Sequence, residues 1–158
     1  MIEIDFKSFH EQEYADDDYE LYVMKNGVGS VLYVGISRRS IWERWFGFGG
    51  HLLWADQIIQ GNSVVGQKIV DHLPDSLQWK IQLWTLDDCV RYCKDEYPIP
   101  ATPNIGFVEP FMINKLSPIL NGSYNLLPGK DTTPKSKKEL QREKLLDEIY
   151  RKIFENKQ

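Results

Sequence analysis

Four polar side chains in this chain have the types that phosphodiester cleavage requires. Tyr22 and Tyr33 lie on two consecutive strand-like segments, and Arg44 lies on the helical segment that follows. Glu109 comes much later, on another predicted helix. A carboxylate can bind a hard cation that polarises a phosphate oxygen, a phenol can orient or deprotonate water, and a guanidinium can stabilise developing charge. Taken singly, each residue is better explained by packing or solvation than by catalysis.

The periodicity of the apolar residues and the turn-forming residues predict the strands and helices that would position these side chains. Two runs rich in aromatic and β-branched residues, 19–24 and 31–34, flank a loop with Asn26-Gly27, which predicts a β-hairpin. Ser40, with Glu43 three residues later, predicts a capped helix directly after it. Further helices are predicted over 51–60, 63–73 with Ser63 as its cap, 87–96 and 104–116, and a half-buried strand over 77–83. The order predicts an α+β fold, a small twisted sheet of the hairpin plus a third strand, flanked by helices.

The domain organisation follows from composition along the 158 residues, which fit one domain. Residues 1–18 form an acidic N-terminal lead that we expect to be solvated, apart from a short strand over 2–6. Residues 19–127 form the candidate catalytic domain, with a helical insertion over about 47–103. Residues 128–158 form a linker and a C-terminal helix. That helix carries an apolar stripe that packs in cis or pairs subunits: Leu146, Ile149, Tyr150, Ile153 and Phe154.

Charge and composition limit the classes of protein to which this chain can belong. The net charge of −4 argues mildly against a polyanion partner. Residues 21–55, however, carry four basic residues and one acidic residue, a balance compatible with phosphate binding at one site. No apolar run reaches the length of a membrane span, and the two cysteines, Cys89 and Cys93, are too few for a disulfide framework. We therefore expect a cytoplasmic protein with no membrane partner.

Four short motifs carry a resemblance to a known family. The runs Leu21-Tyr22-Val23 and Leu32-Tyr33-Val34-Gly35 resemble the paired motif of the GIY-YIG nuclease superfamily. Arg44 follows Tyr33 by eleven positions, close to the family's arginine. Glu109, followed twelve positions later by Asn121 of Pro118-Ile119-Leu120-Asn121, is similar to the family's metal-binding helix and its closing motif. The resemblance covers roughly residues 19–122.

The resemblance implies a metal-dependent endonuclease that hydrolyses phosphodiester bonds of duplex or branched DNA. In the family's one-metal mechanism, Glu109 would ligate Mg²⁺ or Mn²⁺. Tyr22 and Tyr33 would bracket the attacking water, one of them as general base. Arg44 would stabilise the transferring phosphate, and Asn121 would hold the glutamate helix in place.

Several positions depart from the family's pattern. The first glycine of the paired motif is Glu20 here. Phe48 stands one helical turn past the arginine, where a tyrosine or histidine is common. His51 follows three residues later and is the auxiliary candidate, provided that residues 47–50 bend back toward the site.

The basic residues after the hairpin are the candidate nucleic-acid contacts. Ile36 stands where many family members have lysine, and Arg38 and Arg39 are the candidates to replace it. Trp42 lies beside these arginines and is the aromatic residue we expect to contact a base.

A second function fits the same scaffold: a catalytically weak module that binds nucleic acid or protein. Ile36, Phe48 and the acidic lead favour it. The four central side chains, Tyr22, Tyr33, Arg44 and Glu109, favour the enzyme.

Overall fold

A computed structural model describes residues 1–12, 18–122, 125, 127–131 and 134–155. This part of the chain forms a four-stranded antiparallel sheet, a separate β-hairpin and six α-helices, which confirms the predicted α+β class. The strands are β1 (Ile2–Asp5), β2 (Tyr19–Lys25), β3 (Val31–Ile36), β4 (Leu52–Ala55), β5 (Ile58–Gly61) and β6 (Lys80–Thr85). The helices are α1 (Phe6–Gln12), α2 (Ile41–Phe46), α3 (Val64–Asp71), α4 (Leu86–Cys93), α5 (Ile105–Leu116) and α6 (Lys137–Glu155).

The sheet has the order β1-β6-β2-β3, so β3 is an edge strand. The predicted hairpin is β2–β3, in which Tyr22 pairs with Gly35 and Met24 with Tyr33. Because side chains alternate along a strand, these residues face one side of the sheet, which α1, α2 and α3 cover. The other face carries Leu21, Val23 and Val34 and packs against α4 and α5.

The prediction of a helix over residues 51–60 is wrong. This segment is the β4–β5 hairpin, in which Trp54 pairs with Ile59 and Ala55 with Ile58. Asp56 has a φ of 51°, the left-handed conformation that aspartate tolerates in tight turns. The two-residue turn therefore reverses the chain where the apolar pattern was compatible with a helix. The insertion consequently begins with strands rather than helices.

Residues 1–12 of the acidic lead pack into the fold, whereas we expected the lead to be solvated apart from a short strand. The expected strand is present as β1, which pairs with β6, and α1 follows it directly. Phe6 and Phe9 on α1 are fully buried in the core. Burial of two phenylalanine side chains, worth several kcal/mol, outweighs the preference of the neighbouring acids for water. Asp16 and Asp17 lie outside the described residues.

The strand expected over 77–83 also differs from its prediction. It begins at Lys80, after a short 3₁₀ helix over Asp75–Gln78, and it is a central strand rather than a half-buried one. Gln82 faces the core between the sheet and the helices α4 and α5. It is buried there because its side-chain amide has hydrogen-bond partners: it donates to Glu3 Oε2 and accepts from Trp84 Nε1. With β1 on its far side, β6 makes the sheet four-stranded instead of three-stranded.

Polar side chains cap three helices around the candidate site, and the caps at Ser40 and Ser63 are the predicted ones. Ser40, Ser63 and Asn104 each accept a hydrogen bond from the backbone three residues on, at the start of α2, α3 and α5. Pro110 lies in the second turn of α5, where it removes one backbone hydrogen bond of the helix. Among the described residues, no helix has the length and apolar content needed to span a membrane.

Candidate active site

The close approach of Tyr22 to Gly35 forms the centre of the candidate site. Tyr22 is 1% exposed, and its ring crosses the backbone of the paired residue Gly35 on β3. A Cβ atom at Gly35 would overlap the hydroxyl of Tyr22 and would crowd the ring of Tyr33. Only glycine fits at this position. The rings of Tyr22 and Tyr33 stack with their centroids 6.0 Å apart, so the hairpin brings the two predicted phenols together.

His51 enters the same site because the chain bends back after α2. The backbone N–H of His51 donates to the carbonyl of Arg44, and Gly50 donates to Gly47. A Cβ at Gly50 would lie 2.6 Å from the carbonyl oxygen of Trp45, so this turn requires glycine. The His51 ring is 2% exposed, and its Nε2 lies 2.7 Å from the Tyr22 hydroxyl. Residues 47–50 therefore bend back toward the site, which was the condition for His51 as the auxiliary candidate.

Ser63 completes this chain of polar contacts and was identified from the sequence only as a helix cap. Its Oγ accepts a hydrogen bond from Gly66 N–H and lies 2.6 Å from Nδ1 of His51. Gly66 lies against the carbonyl of His51 so closely that a Cβ would not fit. No local signal in the sequence predicts that Ser63 contacts His51, the residue directly before β4. Their contact depends on how the insertion folds over the hairpin.

Burial decides the protonation states in this cluster. Burial, aided by the positive charge of Arg44, lowers the pKa of His51 to about 3, so its imidazole is neutral at neutral pH. Burial raises the pKa of Tyr22 far above its usual value, and the neighbouring Tyr33 and Glu109 raise it further. Burial also raises the pKa of Tyr33, although Arg44 opposes this shift. Both phenols are therefore neutral hydrogen-bonding groups in the free protein.

Arg44 and Glu109 flank the phenols from different elements. Arg44 lies on α2 and Glu109 on α5, which covers the opposite face of the sheet, and the charges of both act on Tyr22 and Tyr33. Both side chains are half-buried, and burial raises the pKa of the Glu109 carboxyl. Neither forms an ion pair or side-chain hydrogen bond with any residue that the structure describes. The site thus presents one cationic and one anionic group that do not neutralise each other.

Asn121 fastens the segment after α5 to the edge strand. Its Nδ2 donates to Val34 O at 2.7 Å, and its Oδ1 accepts from Val34 N at 3.0 Å. The preceding residues Ile119 and Leu120 donate backbone hydrogen bonds to Val31 and Leu32. These contacts couple the end of the Glu109 helix to the strand that carries Tyr33. Asn121 therefore lies at the edge of the site and supports its geometry.

The candidate nucleic-acid contacts divide into two groups. Arg38 and Arg39 are exposed and line a cleft of about 420 Å³ that Arg44 also lines. Trp42 does not line that cleft; its indole N–H donates to the carbonyl of His10 on α1. Phe48, which the sequence marked only as a departure, is 100% exposed, and Arg39 donates to its carbonyl. The exposed aromatic ring beside the arginines is thus Phe48 rather than Trp42.

Comparison with family models, curated proteins and solved structures finds no match for this chain. The likeness to the GIY-YIG nucleases is therefore carried by the quoted motifs alone. The arrangement of the motif side chains in the structure is a second and separate line of argument about function.

The residues present suit a hard divalent cation held by one protein ligand. The Glu109 carboxylate is half-buried and has no partner within the described part of the chain, which fits a metal ligand. No group of three or more histidine, cysteine or acidic residues converges among the described residues. Such a site suits Mg²⁺, which commonly keeps several waters and binds one or two carboxylates together with substrate phosphate. It does not suit a structural zinc centre, which requires four protein ligands.

Proposed function

We propose that this protein is a metal-dependent endonuclease that hydrolyses phosphodiester bonds of DNA. One observation carries the proposal: two stacked phenols, one of them in contact with a neutral histidine, lie within the electrostatic influence of an arginine and a glutamate that do not pair with each other. A phosphodiester supplies the anion for Arg44, and a divalent cation supplies the charge for Glu109. Arg38 and Arg39 extend the positive surface along the cleft beside Arg44.

Arg44 would bind the scissile phosphate and stabilise the charge that develops on its oxygens. Its own positive charge lowers the pKa of His51 in the free protein. A bound phosphate offsets that charge, so substrate binding makes His51 a stronger base. Burial, the larger cause of the low pKa of His51, still acts when the substrate is bound.

Tyr22 and His51 form a path for the proton of the attacking water. Water attacks phosphorus in line as the bond to the leaving oxygen breaks; its proton moves to Tyr22 Oη, while the Tyr22 proton moves to His51 Nε2. The leaving oxygen takes a proton from solvent. This path requires the His51 proton on Nδ1, donated to Ser63 Oγ, and leaves Nε2 as the acceptor. Tyr33 orients the water from the other side.

Glu109 is the residue that would hold the cation. When bound, Mg²⁺ or Mn²⁺ supplies Lewis-acid charge at the phosphate oxygens. The contacts of Asn121 with Val34 fix the turn that follows the Glu109 helix, and so fix the carboxylate relative to the phenols.

Cleavage of circular plasmid and single-stranded DNA with Mg²⁺, Mn²⁺ or EDTA tests this proposal. We expect hydrolysis that requires the cation and falls at least about 100-fold in Glu109→Gln, because that change removes the ligand's charge at constant size. Glu43→Gln is the matched control, since Glu43 is an exposed glutamate on α2 next to Arg44. Equal cleavage by wild type and Glu109→Gln would contradict the proposed metal site.

One observation favours the alternative function, a module that binds DNA without cleaving it. The pKa values of both phenols are raised, so neither supplies a phenolate at neutral pH. The same assay separates the two functions. Metal-independent binding to labelled DNA, unchanged in Glu109→Gln and without hydrolysis, would identify the module.

A further inference from the structure

A short turn holds the aromatic ring of Phe48 in solvent. Phe48 is 100% exposed, and no other large apolar side chain among the described residues exceeds 71%. Its turn is closed by a hydrogen bond of 2.9 Å from Gly50 N–H to the carbonyl of Gly47. Gly49 has a φ of 69°, and a type II turn requires such a positive φ at its third position. The backbone therefore presents the ring to water in a defined conformation.

Both ends of this turn are attached next to Arg44. Gly47 N–H donates to the carbonyl of Glu43 at 2.7 Å, and His51 N–H donates to the carbonyl of Arg44 at 3.2 Å. The first and last Cα atoms of a β-turn lie less than about 7 Å apart. Phe48 is therefore close to Arg44 and His51, the residues to which the proposed mechanism assigns the scissile phosphate and the proton.

The groups beside the ring are mainly cationic. Arg39 donates to the carbonyl of Phe48 at 3.0 Å, and it lines the cleft of about 420 Å³ together with Arg38 and Arg44. The whole segment 36–51 carries three arginines and one acidic residue. A partner that fits this surface has anionic groups for the arginines and a flat face for the ring. A nucleotide of DNA offers both, in its phosphate and its base.

The state of the base decides which DNA fits. In a duplex both faces of an internal base are covered by its neighbours in the stack, so the Phe48 ring meets no free face there. An unpaired base in a gap or a bulge exposes its face without the unpairing that a paired base requires. We propose that Phe48 selects DNA with an unpaired base beside the scissile phosphate. This inference deepens the proposed endonuclease function and rests on it.

The ring and the arginines have different effects on selectivity. Phosphates are present in every DNA, so contacts from Arg38 and Arg39 add affinity without distinguishing paired from unpaired bases. Stacking on Phe48 is available only to a base with a free face. Phe48 thus determines which DNA is bound and cleaved, whereas it takes no part in breaking the bond.

Two labelled short duplexes of one sequence, one fully paired and one with a single-base bulge at its centre, test this inference. Fluorescence anisotropy in EDTA measures binding, and gel electrophoresis after incubation with Mg²⁺ maps cleavage. We expect wild type to bind the bulged DNA about tenfold more tightly and to cleave it within a few nucleotides of the bulge. Phe48→Ala should bind the two DNAs equally, and Phe48→Trp should retain the preference because it keeps an aromatic face.

Three further variants show what kind of contact the ring makes. Phe48→Leu keeps an apolar wedge that can enter between paired bases but has no aromatic face, so it should lose the preference. Arg38→Gln should weaken binding to both DNAs by the same factor, because it removes a phosphate contact. Phe107→Ala is the matched aromatic control and should bind as wild type does. Phe107 is 46% exposed and lies two positions, about 200°, around α5 from Glu109.

The outcomes separate this inference from the proposed function. Cleavage and binding of both DNAs to the same extent would retain the nuclease and overturn the role of Phe48. A preference that persists in Phe48→Leu, or a Phe48→Ala variant that still prefers the bulged DNA, also overturns that role. A preference that Phe48→Ala abolishes, without hydrolysis of either DNA, would support recognition of the unpaired base and reject the nuclease.

Discussion

The hydroxyl of Tyr22 lies 2.7 Å from Nε2 of His51, which joins a residue of the hairpin to a residue of the insertion. Ser63, the N-cap residue of α3, contacts the other ring nitrogen of His51 through its hydroxyl. Three segments that are distant in sequence therefore determine the protonation and orientation of one buried phenol. The following predictions use this relationship and the groups around it.

Replacing Gly35 with alanine should disrupt the site at its narrowest contact. The added Cβ would overlap the Tyr22 hydroxyl, so the ring must move away from His51. We expect a loss of about 1–3 kcal/mol in the free energy of unfolding, as for other overpacked interiors, and a loss of DNA cleavage. Urea denaturation measures the first. Gly27→Ala is the control, because a Cβ there meets its nearest neighbour at an ordinary 3.6 Å; a Gly35→Ala protein as stable as this control would contradict the prediction.

The stability of the protein should depend on pH through His51. Burial lowers the pKa of His51 to about 3 in the folded state, whereas an unfolded histidine titrates near 6.5. Between these values only the unfolded chain binds the proton, so the free energy of unfolding falls as the pH decreases from 6.5 toward 3. From pH 6.5 to 4.5 we expect His51 to account for about 2–3 kcal/mol of that fall.

Urea denaturation of wild type and His51→Gln at pH 7.5, 6.5, 5.5 and 4.5 measures this dependence. The variant should start less stable, because it loses the contacts with Tyr22 and Ser63, but should lose less stability on acidification. Parallel pH profiles for the two proteins would show that His51 is not held neutral by burial.

Ser63 should act on cleavage through His51, beyond its role as a cap. Ser40 and Ser63 both cap a helix, with hydrogen bonds of 3.2 and 3.1 Å to the backbone, but only Ser63 contacts His51. Alanine at either position should lower stability by about 1 kcal/mol. Only Ser63→Ala should also lower the cleavage rate, by about tenfold, and shift its pH profile, while Ser63→Thr should restore both. Equal activity of the two alanine variants at matched folded fractions would contradict the positioning role of Ser63.

Phe48 should contribute to DNA binding more than Trp42 does. The Phe48 ring is fully exposed beside Arg39, whereas the Trp42 indole packs on α1. Stacking of an aromatic ring on an unpaired base contributes about 1–3 kcal/mol. We therefore expect Phe48→Ala to weaken binding of single-stranded DNA about tenfold or more, measured by fluorescence anisotropy. Trp42→Phe and the loop control Val28→Ala should bind as wild type does.

Local signals predicted much of this fold correctly. The Asn26-Gly27 loop predicted the β2–β3 hairpin, and the caps at Ser40 and Ser63 predicted the start of their helices. These signals succeed because a turn or a cap is stabilised by hydrogen bonds between residues a few positions apart. The residues of the candidate site were also identifiable, since the motifs themselves name Tyr22, Tyr33, Arg44, Glu109 and Asn121.

Strand pairing and packing in the folded chain decided the rest. The apolar run after His51 is compatible with a helix or a strand, and the turn at Asp56 made it a hairpin. The place of β6 between β1 and β2 determined that Gln82 is buried, and contacts across the sheet determined that Phe6 and Phe9 belong to the core. The sequence by itself therefore determined which groups are available for chemistry and where the chain turns. Only the tertiary structure determined that His51 reaches Tyr22 and that Ser63 reaches His51, because burial and hydrogen bonding between distant segments depend on how the whole chain packs.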